Sequence, residues 1–334
     1  MTEAELDDLL STPRAETTAA LASCPGDVVV LGAGGKMGPT LARMARRAAA
    51  DARRVIAVSR WSSADAERSL NEAGVETLRA DLLDRGAVAA LPDAPNVIFM
   101  AGQKFGTTGA PALTWGMNTV VPAICAERYK TSRITVFSTG NVYALTPAAS
   151  GGARESDAPA PVGEYAASCL GRERVFELYS ERFQTPVSIV RLNYAIDLRY
   201  GVLVDIATRV YNGEAVPVAM GYVNVIWQGD ANRIAIECLA KAASPPFVVN
   251  VTGEATLSVR ALAERFAERF EKSVSFAGTE RADALLSNTA RMRANFSPPA
   301  NALDDMISMV AGWVADGGRL LGKPTKFEAR DGNF

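Results

Sequence analysis

The 334-residue sequence contains no histidine. This absence excludes hydrolysis by a Ser-His-Asp triad, Cys-His proteolysis and histidine-ligated metal sites. Cysteine is scarce as well: Cys24, Cys125, Cys169 and Cys238 are far apart and form no C-x-x-C pair, so neither a disulfide framework nor a cysteine metal site is indicated. We therefore predict no metal site, and any acid or base must be a tyrosine, a lysine, a cysteine or a carboxylate.

The sequence also lacks an excess of charge and any long apolar run. Its 35 basic and 37 acidic residues give a net charge of −2, which provides no electrostatic case for nucleic acid or an anionic membrane surface. No run reaches the roughly 18 apolar residues of a membrane span, and the acidic N-terminus does not resemble a signal peptide. We expect a cytoplasmic protein that binds a small-molecule substrate, with no nucleic acid or membrane partner; a homodimer is left open.

A strand, a tight turn and a helix are predicted between Asp27 and Arg47. The run 28–31 is continuously apolar, as is typical of a parallel strand buried on both faces. Glycines then cluster at Gly32, Gly34, Gly35 and Gly38, immediately before a helical pattern. Glycines let a pyrophosphate approach the backbone, and the amides that open the helix supply donors and a positive dipole end. The pattern predicts dinucleotide binding; the alternative is an ordinary glycine-rich turn.

Strand and helix patterns alternate as far as residue 195. Apolar runs at 54–58, 75–78, 96–100, 134–138 and 187–192 predict further strands, so the fold class is α/β with a doubly wound parallel sheet, a Rossmann fold. The predicted organisation is a helical extension over residues 1–25, a dinucleotide-binding Rossmann domain over 26–195, a small C-terminal α+β substrate lobe over 196–321, and a partly ordered tail over 322–334. One strand of the lobe, 247–251, is expected to return to the sheet.

Several motifs in this order resemble those of the extended short-chain dehydrogenase/reductase superfamily, the NAD-dependent epimerase/dehydratase family. The resemblance covers about residues 27–295. Its G-x-x-G-x-x-G pattern is matched by Gly32, Gly35 and Gly38, and its S-T-x-x-V-Y motif by Ser138, Thr139, Val142 and Tyr143. The cofactor-binding residues that it implies are Gly32, Gly35, Lys36, Met37 and Gly38 in the loop, Asp81 and Leu82 after the third strand, Ala101 and Gly102 at the end of the fourth, Asn118 in the next helix, and Tyr165.

The predicted catalytic helix departs from the family pattern at one position. The family pairs a tyrosine with a lysine four residues later; here Tyr165 is present, but Cys169 occupies the lysine position. A thiol supplies no positive charge to lower the tyrosine pKa. Three interpretations remain open: an inert cysteine in a protein with little turnover, a site whose charge comes from Lys104 at the end of the fourth strand, or a reactive thiol.

The resemblance implies roles for the remaining site residues. Tyr165 exchanges a proton with the substrate oxygen, Thr139 hydrogen-bonds that oxygen, and Lys104 and Cys169 complete the predicted catalytic set. Predicted substrate contacts are Lys104, Asn141, Asn193 and Trp227, although Trp227 is equally typical of a core and Lys104 of a solvated loop.

The end of the second strand bears on cofactor choice. Ser59 and Arg60 stand where an acidic residue would bind the ribose 2′-hydroxyl of NAD, and a hydroxyl with a cation suits a 2′-phosphate. NADP is therefore favoured, with NAD open if Arg60 stacks on adenine. The predicted function is an NAD(P)-dependent oxidoreductase or epimerase that acts on a hydroxyl or carbonyl carbon of a small polar, sugar-like substrate. The alternative is a dinucleotide-binding regulatory protein or pseudoenzyme. A dehydratase is disfavoured because Gly140 and Asn141 replace the Asp-Glu pair of that class.

Overall fold

Seven parallel strands form the central sheet of the described part of the chain, which comprises residues 1–104, 106, 109–323 and 325–332 of a computed structural model. They are β1 Val28–Leu31, β2 Val55–Ser59, β3 Glu76–Arg79, β4 Asn96–Phe99, β5 Arg133–Thr139, β6 Val187–Leu192 and β7 Phe247–Val251. The spatial order is β7-β6-β5-β4-β1-β2-β3. The strand order therefore reverses between β1 and β4, which run parallel to each other. The predicted doubly wound parallel sheet is confirmed, including the returning strand β7.

The helices alternate with these strands and continue into the C-terminal lobe. They are α1 Glu3–Ser11, α2 Ala15–Ala22, α3 Gly38–Ala49, α4 Ala64–Glu72, α5 Arg85–Ala89, α6 Pro111–Trp115, α7 Val121–Arg128, α8 Gly163–Phe183, α9 Val202–Asn212, α10 Gln228–Glu237, α11 Val259–Phe270, α12 Ala290–Asn295 and α13 Leu303–Ala315. A π-helical turn, Gly116–Val120, joins α6 to α7. In the described ranges, no helix combines the length and the apolar character needed to span a membrane.

Apolar side chains cover both faces of the sheet. In β1, Val28 and Val30 enter the apolar layer on one face, whereas Val29 and Leu31 enter the layer on the other. Successive residues of a strand point to opposite faces, so a strand covered on both sides must be apolar throughout. Each of these side chains is fully buried and contributes on the order of 1.5–3 kcal/mol. This explains why the run that precedes the glycine loop does not alternate.

The C-terminal lobe has an apolar core of its own. Its helices α9, α11 and α13 pack together, and short strands pair as Ala195–Ile196 with Ile226–Trp227, Val216–Pro217 with Phe276–Ala277, Tyr222–Val223 with Leu257–Ser258, and Thr146–Pro147 with Asp283–Ala284. Leu6 and Leu10 of α1 also enter this core, while Leu9 is 38% exposed. The N-terminal extension therefore joins the lobe to the outside of the sheet, where it packs on α3.

The C-terminal tail is more closely packed than predicted. Phe327 is 1% exposed and belongs to the lobe core. Thr325 donates two hydrogen bonds to Asp205 of α9, from its backbone nitrogen (2.8 Å) and its hydroxyl (2.6 Å). Gly332 lies against Gly163 at the start of α8. Residues 325–332 thus cross from the lobe to the predicted catalytic helix; Pro324 and residues 333–334 of the predicted tail lie outside the described residues.

Candidate active site

The glycine loop between β1 and α3 contains two glycines that the fold itself requires and a third that it does not. Gly32 has a φ of +88°, and an added Cβ would lie 2.6 Å from the backbone of Ala101. At Gly38 a Cβ would lie 2.2 Å from the carbonyl oxygen of Ala33. At Gly35, by contrast, the nearest described atom is the carbonyl oxygen of Gly32 at 3.6 Å. The protein itself has room for a side chain at Gly35, so the residues fit a cradle that a pyrophosphate would fill.

The start of α3 faces this cradle. Met37 is the N-cap residue, and no described side chain caps the helix. The first amides of a helix have no partner within the helix, and they are suited to bind an anion. Lys36 contributes its backbone to the loop, but its side chain extends toward the C-terminal lobe: its Nζ donates to the carbonyl oxygen of Ala195 (3.1 Å) and lies 3.7 Å from the centroid of the Tyr200 ring.

Two arginines, Arg60 and Arg79, lie at the adjacent ends of β2 and β3. Arg60 is exposed, and its side chain has no hydrogen-bond or ion-pair partner among the described residues. Arg79, at the end of β3, donates to the carbonyl oxygens of Arg60 (2.9 Å) and Trp61 (3.1 Å) and pairs with Glu67 (2.7 Å). No sequence motif points to Arg79, because its hydrogen bond to Arg60 depends on the pairing of β2 with β3.

The predicted cofactor-binding residues after β3 and β4 differ in exposure. Asp81 is exposed, and its Oδ1 accepts a hydrogen bond from the backbone nitrogen of Leu83 (3.0 Å). Leu82 is buried in the apolar layer of the sheet. After β4, which β1 and β2 separate from β3, Ala101 is buried and Gly102 is exposed. Asp81 and Gly102 are therefore the accessible members of these two pairs.

Asn118 is fully buried in the π-helical turn, and its predicted contact with the cofactor stays a prediction. Its Oδ1 accepts hydrogen bonds from the backbone nitrogen of Gln103 (2.9 Å) and from Arg172 Nη2 (2.6 Å). Its Nδ2 donates to the carbonyl oxygen of Gln103 (3.0 Å) and to Ser168 Oγ (2.9 Å). Since the amide is occupied by protein groups on every side, Asn118 positions the loop after β4.

The face of α8 that meets β5 carries the predicted catalytic residues. Tyr165 and Thr139 share a side-chain hydrogen bond, and Asn141 Nδ2 donates to Thr139 Oγ1 (2.9 Å). Cys169 lies one turn after Tyr165 and is fully buried. Arg172 follows on the same face, because residues at i, i+4 and i+7 share one side of a helix. The structure therefore brings together the predicted Tyr165, Thr139, Asn141 and Cys169, and it adds Arg172.

Arg172 is a buried cation beside Tyr165. Its Nη1 donates to the carbonyl oxygen of Phe137 (2.8 Å), and its Nη2 lies so close to Gly102 that an added Cβ there would clash with it. Burial raises the pKa of Tyr165, and Cys169 raises it further, while Arg172 and the hydrogen bond to Thr139 lower it. The i+7 spacing from Tyr165 was a signal in the sequence that could have identified Arg172.

Lys104 lies on the substrate side of the same tyrosine. Its Nζ is 5.9 Å from the centroid of the Tyr165 ring and donates to the carbonyl oxygen of Thr325 (3.4 Å) in the tail. Burial lowers the pKa of Lys104 to about 8. The Lys104 ammonium thus contacts both the tail and the tyrosine ring, and its predicted roles stay predictions.

The surroundings of Cys169 bear on the reactive-thiol interpretation. Its thiol packs with Val142, Tyr143 and Ala153, and burial raises its pKa. A reactive thiolate needs a lowered pKa and access to solvent. Burial therefore favours the neutral form of the Cys169 thiol, and its predicted role stays a prediction.

A buried network fixes α8 against the sheet behind these residues. Glu173 pairs with Arg191 of β6 (2.7 Å), and Arg191 Nη1 donates to the hydroxyl of Tyr143 (2.7 Å). That hydroxyl donates in turn to Asn250 Oδ1 of β7 (2.8 Å). Breaking a buried ion pair costs about 3–5 kcal/mol. The network thus holds the helix that carries Tyr165 in a fixed register.

Two of the predicted substrate contacts belong to the interior. Trp227 is 2% exposed and lies in the lobe core. Asn193 is equally buried, and its Nδ2 donates to the carbonyl oxygen of Leu285 (3.2 Å). Both side chains are thus buried against protein groups, and their predicted contacts with the substrate stay predictions.

The glycine cradle, the Tyr165–Thr139 pair and the seven-stranded sheet define a dinucleotide-binding protein of the short-chain dehydrogenase/reductase class. The model of the NAD-dependent epimerase/dehydratase family matches residues 28–213, and the chain belongs to this family. The resemblance inferred from the motifs is confirmed.

Several solved structures share the fold. UDP-glucuronic acid 4-epimerase from Bacillus cereus aligns at a TM-score of 0.74 and 17% identity, covering 87% of this chain and 99% of that one. The dTDP-glucose 4,6-dehydratase from Streptomyces venezuelae aligns at 0.73 and 18%, covering 87% and 97%. UDP-glucose 4-epimerase from Thermotoga maritima aligns at 0.71 and 16%, covering 87% and 99%. No curated protein sequence matches the chain. At these identities the similarity is one of fold.

Proposed function

We propose that the protein is an NAD(P)-dependent oxidoreductase or epimerase that acts on a hydroxyl or carbonyl carbon of a small polar, sugar-like molecule. The observation that carries this proposal is the hydrogen bond between Tyr165 and Thr139 beside the glycine cradle. A phenol held by a second hydroxyl can exchange a proton with a substrate oxygen placed between them. The neighbours titled as sugar-nucleotide epimerases and dehydratases support the sugar-like class.

The residues of this chain divide the work. Tyr165 gives a proton to the substrate oxygen or takes one from it, and Thr139 orients that oxygen. Asn141 fixes the Thr139 hydroxyl through its own hydrogen bond. A nicotinamide dinucleotide, when bound, accepts a hydride from the substrate carbon or returns one. Asn118 keeps the loop after β4 in place along the side of the site.

The positive charge that the missing lysine would supply comes, in this proposal, from Arg172, with Lys104 as a second cation. Arg172 lowers the pKa of Tyr165, whereas burial and Cys169 raise it. The Lys104 ammonium faces the Tyr165 ring. An opposite charge within about 4–6 Å favours the ionised form of an acid by about 1–3 pKa units. The site therefore keeps a cation near the tyrosine although Cys169 brings none.

We favour NADP as the cofactor. The exposed Arg60 guanidinium, with Arg79 beside it, would bind a 2′-phosphate through charge-assisted hydrogen bonds. NAD is the alternative, because two of the structural neighbours were solved in complex with NAD.

The experiment incubates the protein with NADP or NAD and a panel of sugars and sugar acids, and follows the absorbance of the reduced nicotinamide. Tyr165→Phe should lower the rate about 10²-fold or more, the usual loss when a general acid or base is removed. Tyr179→Phe, in the same helix but packed against Phe183, is the matched control and should keep the rate. An unchanged rate in folded Tyr165→Phe protein would contradict the proposal.

A second candidate is a nucleotide-binding protein with little turnover. It is favoured by Cys169 at the lysine position and by the raised pKa of Tyr165, which keeps the phenol neutral. Tight NADP binding without absorbance change across the whole panel would select this function.

A further inference from the structure

Two lysines leave neighbouring strands of the sheet and turn to the same side. Lys36 follows β1 and Lys104 follows β4, and these strands pair directly. Lys36 reaches Ala195 and Tyr200, which follow β6, while Lys104 reaches the tail at Thr325. Both ammonium groups therefore lie toward the C-terminal lobe and the tail, away from the backbone of the glycine loop.

The Lys36 ammonium has donors to spare. An ammonium carries three N–H donors, and within the described residues Lys36 uses one of them, on the carbonyl oxygen of Ala195. No described carboxylate forms an ion pair with it. A buried cation is costly unless it is paired. Lys36 thus lacks a negative partner from the protein.

The carboxylates nearest to the lysines are bound to other groups. Asp197 accepts a hydrogen bond from the backbone nitrogen of Arg199 (2.6 Å) and pairs with its guanidinium (3.4 Å). Asp205 accepts both hydrogen bonds from Thr325. These side chains moderate the positive charge of the cleft without occupying the Lys36 ammonium.

Burial and the neighbouring charges together affect the protonation of the two lysines. Burial lowers the pKa of Lys36 to about 7; Asp197 opposes that shift, and the charge of Lys104 adds to it. Burial likewise lowers the pKa of Lys104 to about 8, although Cys169 and Asp205 act in the opposite direction. An anion between the two ammonium groups would favour the charged form of both.

We propose that Lys36 and Lys104 bind a carboxylate of the substrate, so that the enzyme acts on a sugar acid or a related hydroxy acid. This inference rests on the proposed function, since it places the carboxylate beside the oxygen that Tyr165 protonates. The Lys104 ammonium connects the two sites, because it also faces the Tyr165 ring. A cofactor phosphate is the less suitable anion, since the partners of both ammonium groups come from the segment after β6 and the tail.

The test measures binding to the full-length protein by calorimetry at pH 8, with and without saturating NADP. The probes are matched pairs that differ in one carboxylate: D-glucuronate with D-glucose, and D-galacturonate with D-galactose. At least one acid should bind about tenfold or more tightly than its neutral twin. Binding should also take up about one proton, because both lysines are partly neutral at this pH and become charged; buffers of different ionisation enthalpy reveal this uptake.

Variants assign the effect to the two lysines. Lys36→Met and Lys104→Met should each abolish the advantage of the acid over its neutral twin and reduce the proton uptake. Lys130→Met is the matched control, because Lys130 is exposed and paired with Glu127. Equal binding of acid and neutral twin in both pairs would overturn the proposal.

The remaining outcomes separate this inference from the proposed function. If Lys36→Met weakens NADP but not the acids, Lys36 binds a cofactor phosphate and the carboxylate site is refuted, while the proposed function stands. If the protein binds the acids through both lysines yet neither binds nor reduces NADP or NAD, the proposed redox function fails, and with it the role of the bound acid as substrate.

Discussion

Removing the positive charge of Arg172 tests whether this residue replaces the lysine of the family pattern. An opposite charge near an acid shifts its pKa by about 1–3 units, and each unit corresponds to a tenfold change in the equilibrium. Arg172→Met should therefore lower the rate at neutral pH about 10- to 10³-fold. Loss of a nearby cation raises the pKa of Tyr165, so the pH optimum for oxidation of the substrate should move to higher pH.

Arg172 also has a structural role that the experiment must separate from its charge. The substitution removes the donor to the carbonyl oxygen of Phe137 and one of the donors to Asn118 Oδ1. Each loss should lower the free energy of unfolding by about 1–3 kcal/mol. Circular dichroism and thermal unfolding should show a folded but less stable protein. Cys169→Lys in the Arg172→Met background places a cation one turn nearer to Tyr165 and should restore part of the rate.

Three results would contradict the assignment of the positive charge to Arg172. If folded Arg172→Met keeps both rate and pH profile while Lys104→Met loses activity, the charge comes from Lys104. If both variants are silent and Cys169→Lys alone creates activity, the protein is a pseudoenzyme that lost its lysine. If Cys169→Ser alone abolishes the rate, a thiol reaction is involved and the assignment to Arg172 is refuted.

Four further predictions concern the cofactor site, the tail and pH. Gly35→Val should abolish NADP binding in calorimetry and leave the circular dichroism spectrum unchanged, because the nearest described atom to a Cβ there is the carbonyl oxygen of Gly32 at 3.6 Å, an ordinary contact; retained affinity would contradict the cradle. Arg60→Ala should weaken NADP about tenfold or more and leave NAD unaffected, since a charge-assisted hydrogen bond contributes about 1.5–3 kcal/mol; equal affinities would refute the NADP preference. Phe327→Ala should lower the free energy of unfolding by about 3–5 kcal/mol, and the 40% exposed Phe183 serves as the control with a much smaller loss from Phe183→Ala. Lys36→Met should raise thermal stability most at pH 6, and the gain should decline gradually as the pH rises above about 7, because burial lowers the folded pKa of Lys36: the cost of burying the charge is full below the folded pKa and is lost only as the pH approaches the unfolded pKa of 10.5.

The fold was predictable because its determinants are local. Continuous apolar runs predicted the strands of the sheet to within a few residues. Gly38 follows the same rule, because its close contact is with Ala33 in the same turn. Gly32 differs, because its close contact is with Ala101 after β4, and only the glycine pattern marked it in the sequence.

Site residues were less predictable because a motif gives the position of a residue and not the direction of its side chain. Asn118 and Trp227 occupy positions that the family pattern associates with ligands, yet one is enclosed by hydrogen bonds and the other by the lobe core. Arg79 reaches Arg60 only because two strands pair in parallel. Such contacts depend on the assembled sheet, which no single motif describes.

The directions of two half-buried lysine side chains bear in the same way on the proposed substrate. A glycine loop can bind a pyrophosphate with any side chain at position 36, since only its backbone is required. Lys36 instead extends to the segment after β6, and Lys104 meets a tail whose Phe327 anchors it in the lobe. Keeping two ammonium groups desolvated in one cleft lowers stability, and the lobe that buries them belongs to the part of the fold proposed to hold the substrate. An anionic substrate would offset this cost, whereas a neutral sugar would leave it in place.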